Sequence, residues 1–387
     1  MSSHGAAGKT ILVLGAGVGG LVTASILRRR LPKRHRVVVV DRERHFHFQP
    51  AYPWVMLGHR EPDDIRRPLR VLEKKGIEVL EAEVLGLDPA KKTVATSQGA
   101  RPFDYLVIAL GADLAEEKVP GFKESALNLY TLAGALRIRE RLPRFQGKKV
   151  TLLISSTPFR CPAAPYEAAF LVRDFLQANR SPAAVEVYTP EPFPMPAAGP
   201  AVGRALLEML RARGIEVHTE HKVTDIAQAD GRISFDNGTK VPYELLIGVP
   251  PHGAPRAARE SGLVDGSGWI PVDPRTLATR HERVYALGDI TSIPIAGGKS
   301  LPKAGVFAHH QAEVVAENIV ADLRGLSSTR EFDGRGWCAI EMGSGRAAFG
   351  SGNFYDQAGP KVNLYSPARH WHWFKTAFEK WWLWKWF

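Results

Sequence analysis

The chain has 387 residues, 44% of them hydrophobic and 24% charged, an ordinary globular composition with room for two or three packed domains. Its formal net charge of +11 suits an anionic substrate, an anionic membrane or nucleic acid, but no basic run interleaved with aromatics marks a nucleic-acid face. The two cysteines, Cys161 and Cys338, are too few for a structural zinc site of four or a disulfide scaffold.

From the N-terminus, Lys9 to Leu14 reads as a short apolar strand. Its apolar run leads straight into a glycine loop, so it is read as a strand and not as a cleavable secretory signal. The loop Gly15-Ala16-Gly17-Val18-Gly19-Gly20 precedes a predicted helix from about Leu21 to Arg30, with Arg28-Arg29-Arg30 as its exposed end. A second buried strand, Arg36 to Val40, ends at Asp41. Gly15, Gly17 and Gly20 fit G-x-G-x-x-G, with an acid about 20 residues on. The first glycine permits the turn, the second lets a pyrophosphate approach, and the third lets helix and strand pack closely. Asp41 suits a ribose hydroxyl.

Two later segments choose the dinucleotide. Phe103 to Gly111, and Val284 to Gly288-Asp289, read as buried strands ending in glycine. Both resemble the second and third FAD fingerprints of flavoproteins with two dinucleotide-binding domains. The resemblance implies that Asp289 binds the ribityl chain, and it places Gly111, Gly288, Arg42 and Val84 with the cofactor.

The middle of the chain repeats the architecture. Strands are expected at Lys149 to Ile154, Val185 to Tyr188 and Leu245 to Val249, with helices at Tyr166 to Gln177 and Ala201 to Arg213. Where a second glycine loop belongs, the chain has Ser155-Ser156-Thr157-Pro158-Phe159-Arg160-Cys161-Pro162. Prolines and bulky side chains cannot offer an amide-lined approach to pyrophosphate, and the next strand ends at Thr189-Pro190 without a ribose-binding acid. This second fold is expected to have lost NAD(P)H binding. The fold class is therefore α/β, with two Rossmann-like folds of three-layer ββα type and a C-terminal membrane-attachment segment. The FAD domain takes residues 8–112 and 272–325, the second fold 113–271, and a C-terminal domain 326–387.

Phe159-Arg160-Cys161-Pro162-Ala163-Ala164-Pro165-Tyr166-Glu167-Ala168-Ala169 and Trp337-Cys338 through Gly343 resemble the two cysteine segments of sulfide:quinone oxidoreductases and of the related flavocytochrome c sulfide dehydrogenase flavoprotein. Leu301-Pro302-Lys303-Ala304-Gly305-Val306-Phe307 is similar to the stretch that lies against the isoalloxazine. The resemblance implies a redox pair: hydrosulfide attacks a bridged Cys161/Cys338, Cys338 faces flavin C4a, sulfur grows on Cys161 and leaves as polysulfide or zero-valent sulfur, and electrons pass through FAD to a quinone. Arg160 supplies positive charge beside Cys161. Lys303 stabilises negative charge on reduced flavin, and Glu167 is the candidate proton carrier. A homo-oligomer is expected. No cysteine lies in Ala112 to Arg160, which excludes the family's three-cysteine mechanism. None lies in Arg42 to Gly58 to tether the cofactor, so FAD is expected to be noncovalent.

The tail from His370 to Phe387 holds six of the nine tryptophans. Phe374, Phe378, Trp381 and Trp382 fall on one helical face. Tryptophan with lysine favours the membrane interface, so monotopic attachment is expected, with Phe307 and Phe374 as candidates to line a quinone channel. Three alternatives stay open. A cytochrome-linked sulfide dehydrogenase fits the tail poorly. A type II NADH:quinone oxidoreductase fits the missing glycine loop poorly. A flavin-binding interaction protein fits the retained Cys161, Cys338 and Lys303 poorly.

Overall fold

The structure is a computed structural model and describes residues 8–326 and 330–387. The apolar runs of the first third form a parallel sheet in the spatial order Val284–Ala286, Tyr105–Ile108, Thr10–Leu14, Arg36–Asp41, Glu78–Glu81. Ile11 to Leu14 and Val37 to Val40 are buried, as expected for strands covered on both faces. Each such fully buried side chain contributes roughly 1.5–3 kcal/mol. The helix Val18–Arg30 crosses from the first strand to the second and packs on the long helix Gly305–Leu323.

A second parallel sheet repeats the pattern: Leu127–Asn128, Leu245–Val249, Lys149–Ile154, Ala184–Tyr188, Ile215–His218. Each repeat carries a three-stranded antiparallel meander between its third central strand and the return strand. These are Val84–Asp88, Thr93–Thr96 and Gly99–Pro102 in the first, and Val223–Ala227, Arg232–Phe235 and Lys240–Pro242 in the second. Helix, sheet and meander are the three layers, so both Rossmann-like repeats expected from the sequence are present. The helix Ala164–Ala178 in the second repeat stands where Val18–Arg30 stands in the first.

The C-terminal part is an antiparallel sheet of Arg335–Glu341, Ala347–Asn353 and Lys361–Ala368, followed by the tail helix Arg369–Trp386. Among the described residues no helix is long and apolar enough to cross a membrane. The expected single apolar face of the tail is corrected. Trp382 and Trp386 turn inward, and Trp382 lies 5.0 Å from the Phe46 ring and 5.6 Å from Phe48. Trp373, Trp381 and Trp384 turn outward. The helix is aromatic on both sides, and its charged residues decide the facing: His372, Lys375 and Glu379 reach partners in the body of the protein.

Candidate functional site

The glycine loop has the shape a dinucleotide needs. Gly15 lies at φ +92°, and a Cβ there would sit 2.4 Å from the Ala109 carbonyl oxygen. A Cβ on Gly20 would meet the Gly15 carbonyl oxygen at 1.8 Å. A Cβ on Gly17 would meet nothing within 4 Å. The first and third glycines are thus required by the protein's own backbone, whereas the second faces open space at the start of the helix Val18–Arg30. That helix has no acidic residue in its first turn and no side-chain cap, so its N-terminal amides are free for an anion. Asp41 accepts hydrogen bonds from the backbone N–H of Ala16 (2.6 Å) and of Glu43 (2.8 Å). These residues fit FAD. Arg42 is more exposed and lies 4.0 Å from Asp113, and Val84 opens the first meander.

The other end of the cradle is built from the returning chain. Gly288 lies at φ +74° and donates its N–H to the buried Gln311 side chain (2.7 Å). Asp289 follows in a short turn, where burial raises its carboxyl above the usual range and the Lys303 and Arg160 charges oppose the rise. Lys303 is itself buried. Its ammonium donates to the carbonyl oxygens of Asp289 (2.7 Å) and Thr291 (2.9 Å) and lies 3.4 Å above the Trp269 ring. Burial pulls it down to about 8. The small cleft between Gly288, Lys303 and Gln311 is also lined by Phe307.

The second repeat presents the opposite picture. Its loop is strapped to the first repeat: Arg160 bridges Lys303, and the Cys161 N–H donates to the Lys303 carbonyl (2.6 Å). The Tyr130 hydroxyl donates to the carbonyl oxygens of Arg160 (2.8 Å) and Cys161 (3.2 Å), while the Arg160 guanidinium donates to the Tyr130 carbonyl (2.6 Å). Cys161 is held at φ +48°, a left-handed conformation unfavourable for a residue with a side chain. No glycine loop opens this fold. An acid that the sequence reading missed, Glu191, lies beyond the second strand and is 3% exposed. It accepts a short hydrogen bond from the Tyr166 hydroxyl and another from Thr189 (3.2 Å). Pro190 and a three-residue offset from the strand end hid it. Tyr166, Thr189 and Glu191 thus form a buried polar group beside the end of the second strand.

Glu167, in the first turn of the helix Ala164–Ala178, is buried and accepts from the Lys375 ammonium of the tail helix (2.5 Å). Burial pushes Glu167 up to about 7, and Lys375 only partly offsets this. Beside them His372 contacts the buried Glu341 (2.9 Å), and Arg60 pairs with Glu379 (2.8 Å). Trp54 lies between two cations, 4.7 Å from Arg60 and 5.1 Å from Lys375. Lys375, expected at lipid headgroups, is instead a buried partner of Glu167.

Residues 9–155 and 165–312 match the family described as pyridine nucleotide-disulphide oxidoreductase. The chain belongs to that family. It is 29% identical to the sulfide-quinone reductase of Aquifex aeolicus, with 97% of this chain and 91% of that protein covered. It is 25% identical to the mitochondrial sulfide:quinone oxidoreductase of Mus musculus, covering 92% and 82%. The crystal structure of the sulfide:quinone oxidoreductase from Aquifex aeolicus superimposes with a TM-score of 0.88 at 26% identity, covering 98% of this chain and 91% of that one. The resemblance read from the sequence therefore holds over nearly the whole chain.

One expectation attached to that resemblance is overturned for this member of the family. Cys161 and Cys338 are free thiols, not a disulfide. Cys161 sits on the strapped loop, whereas Cys338 lies within the strand Arg335–Glu341. Burial pushes the Cys161 thiol up to about 11 and the Cys338 thiol well above its usual range. Two free thiols are not a bridge for hydrosulfide to attack, and burial disfavours the thiolate of each. The Cys161/Cys338 redox-pair mechanism is therefore set aside.

The two quinone candidates also part company. Phe307 packs edge-on against Phe354 (5.1 Å), and a Cβ on Gly336 would meet its ring at 2.3 Å. Phe374 packs on the ring of Trp337 (5.2 Å). Neighbouring residues of a strand face opposite sides, so the two phenylalanines belong to opposite faces of Arg335–Glu341.

Proposed function

We propose that this family member is a flavoprotein that oxidises sulfide and delivers the electrons to a quinone at a membrane surface. The observation that carries the reading is the contrast between the two folds: Gly17 faces open space at a bare helix N-terminus in one, whereas Tyr166 and Glu191 are buried against each other in the other. A second fold without a glycine loop points to a reductant other than a nicotinamide, and the similar proteins named for sulfide and quinone supply the class.

When bound, FAD supplies a two-electron acceptor between sulfide and quinone. Gly15, Gly17, Gly20 and Asp41 hold its adenosine and pyrophosphate half, with Arg42 and Val84 at the rim. Gly111, Gly288 and Asp289 line the path toward the ring. Lys303 keeps a positive charge at that end, in a dry site where it acts strongly on developing negative charge. Glu167, poised near neutrality, gives and takes protons at working pH, and Lys375 holds it in place. The outward aromatic side of the tail helix, Phe374 included, rests in the membrane interface.

The test is an anaerobic titration of the flavin-loaded protein. Sulfide is expected to bleach the flavin absorbance stoichiometrically and a soluble quinone analogue to restore it, while NADH leaves it unchanged. Bleaching by NADH and not by sulfide would overturn the proposal.

A further inference from the structure

The tail helix keeps its one acid inside and turns three of its cations outward. Its outward residues include Trp373 (65% exposed), Phe374 (39%), Trp381 (43%) and Trp384 (78%). At 3.6 residues per turn these four rings lie within an arc of roughly 100°. Arg369 and Lys380 border that arc on one side and Lys385 on the other, and all three are exposed. The helix has a single acid, Glu379, which is buried against Arg60. The exposed side of the helix is therefore aromatic and cationic, with no carboxylate.

At the far end of the helix the body of the protein places further cations around the inward-facing Trp386. Lys75 donates to the Trp386 carbonyl (2.9 Å), and the Arg29 guanidinium lies 5.5 Å from the Trp386 ring. Exposed Lys74 adjoins Lys75, with Glu73 beside them as the one acid of the segment Leu69–Lys75. The Lys385 ammonium sits 4.5 Å from the Trp381 ring. A lysine that lies along an indole keeps its stem on apolar surface while its head reaches a neighbouring phosphate.

We propose that the outward side of the tail helix docks on a lipid bilayer bearing anionic headgroups, with Arg369, Lys380 and Lys385 selecting for negative charge while the rings enter the interface. This deepens the membrane attachment in the proposed function and rests on it. Aromatic burial alone binds any bilayer. A cationic border with no acid gains attraction only from a negative surface, and that gain falls off within a Debye length.

Flotation of the flavin-loaded full chain with vesicles of phosphatidylcholine alone, or with roughly one-third phosphatidylglycerol, tests this. Binding to the anionic vesicles is expected to be roughly a hundredfold tighter, given the usual gain per basic residue at a charged surface. Molar salt should erase most of the difference. The triple variant R369Q/K380Q/K385Q should bind both vesicles as the parent binds phosphatidylcholine. All three side chains are exposed, and retained flavin absorbance reports that the variant is folded. Equal binding of the parent to both vesicles overturns the charge selection and leaves membrane attachment standing. Binding to neither overturns both. Undiminished selectivity in the triple variant also overturns the assignment to these three residues.

Discussion

The two Rossmann-like repeats share a sheet order and a meander, yet they treat the N-terminus of their first helix in opposite ways. The first leaves it bare: Gly17 precedes Val18–Arg30, and no acid sits in the first turn. The second fills it, placing Glu167 in the first turn and closing the neighbouring strand end with Glu191 and Tyr166. A helix N-terminus attracts an anion in either case. In the first repeat that anion is left to a ligand; in the second it is a carboxylate of the protein, paired with Lys375 from the tail. The same local geometry is thus left bare in one repeat and occupied by a paired carboxylate in the other.

The largest expected effect breaks the open side of this contrast. Gly17→Val places a branched side chain where a Cβ meets no protein atom, so the fold should survive while FAD is displaced. Flavin affinity should fall more than a thousandfold, a loss of about 4 kcal/mol or more. Flavin absorbance per chain after gel filtration reads the loss, and an unchanged circular dichroism spectrum shows that the chain still folds. A variant that retains stoichiometric flavin would mean that Gly17 does not face the pyrophosphate.

The next effect breaks the filled side. Lys375→Met strands Glu167 in a buried position, and removing one member of such a pair costs roughly 3 kcal/mol. The double variant E167Q/K375M should recover much of that loss, since no charge is then left unpaired. Denaturant unfolding of the three proteins measures both steps. A single variant as stable as the parent would show that the anchor is not an ion pair. A smaller check bears on the cysteines: without reductant, the unfolded chain should react with two equivalents of a thiol reagent, matching Cys161 and Cys338 as free thiols.

Much of this contrast was legible in the sequence because strand, glycine loop, helix and acid are local signals with fixed spacing. The strand Leu245–Val249 was read to the residue. The contact of Tyr166 with Glu191 was not legible, because the two are 25 residues apart and meet only when the sheet assembles. The tail failed for a different reason. Tryptophans around the whole helix carry no usable phase, so the apolar period could not say which face is inward. The phase was present in His372, Lys375 and Glu379, spaced to share one face, but charges there read naturally as solvated. Their partners Glu341, Glu167 and Arg60 come from three distant elements. The cysteine pair was read from the place of Cys161 in the loop and from the resemblance, and it is the part that the free thiols overturn.

The smallest effect sharpens the contrast through pH. Both repeats carry an acid near the end of the second strand, but Asp41 is half-buried and held by backbone N–H groups, whereas Glu191 is buried against a phenol. Burial raises Glu191 from 4.5 to about 7, and the bonds from Tyr166 and Thr189 only partly oppose it. A carboxyl with a folded pKa above its unfolded one favours folding while it is protonated. That contribution is fully present below about pH 4.5 and is lost as pH rises through about 7. Relative to Glu191→Gln, which cannot ionise, the parent should therefore lose about 2 kcal/mol of stability between about pH 5 and pH 8. Glu167 titrates with the same sign in both proteins and cancels in the difference. Urea unfolding of parent and variant at both pH values gives the measurement. A difference that does not change with pH would mean that Glu191 is ionised throughout, a buried charge that the structure gives no cation to balance among its described hydrogen-bond partners.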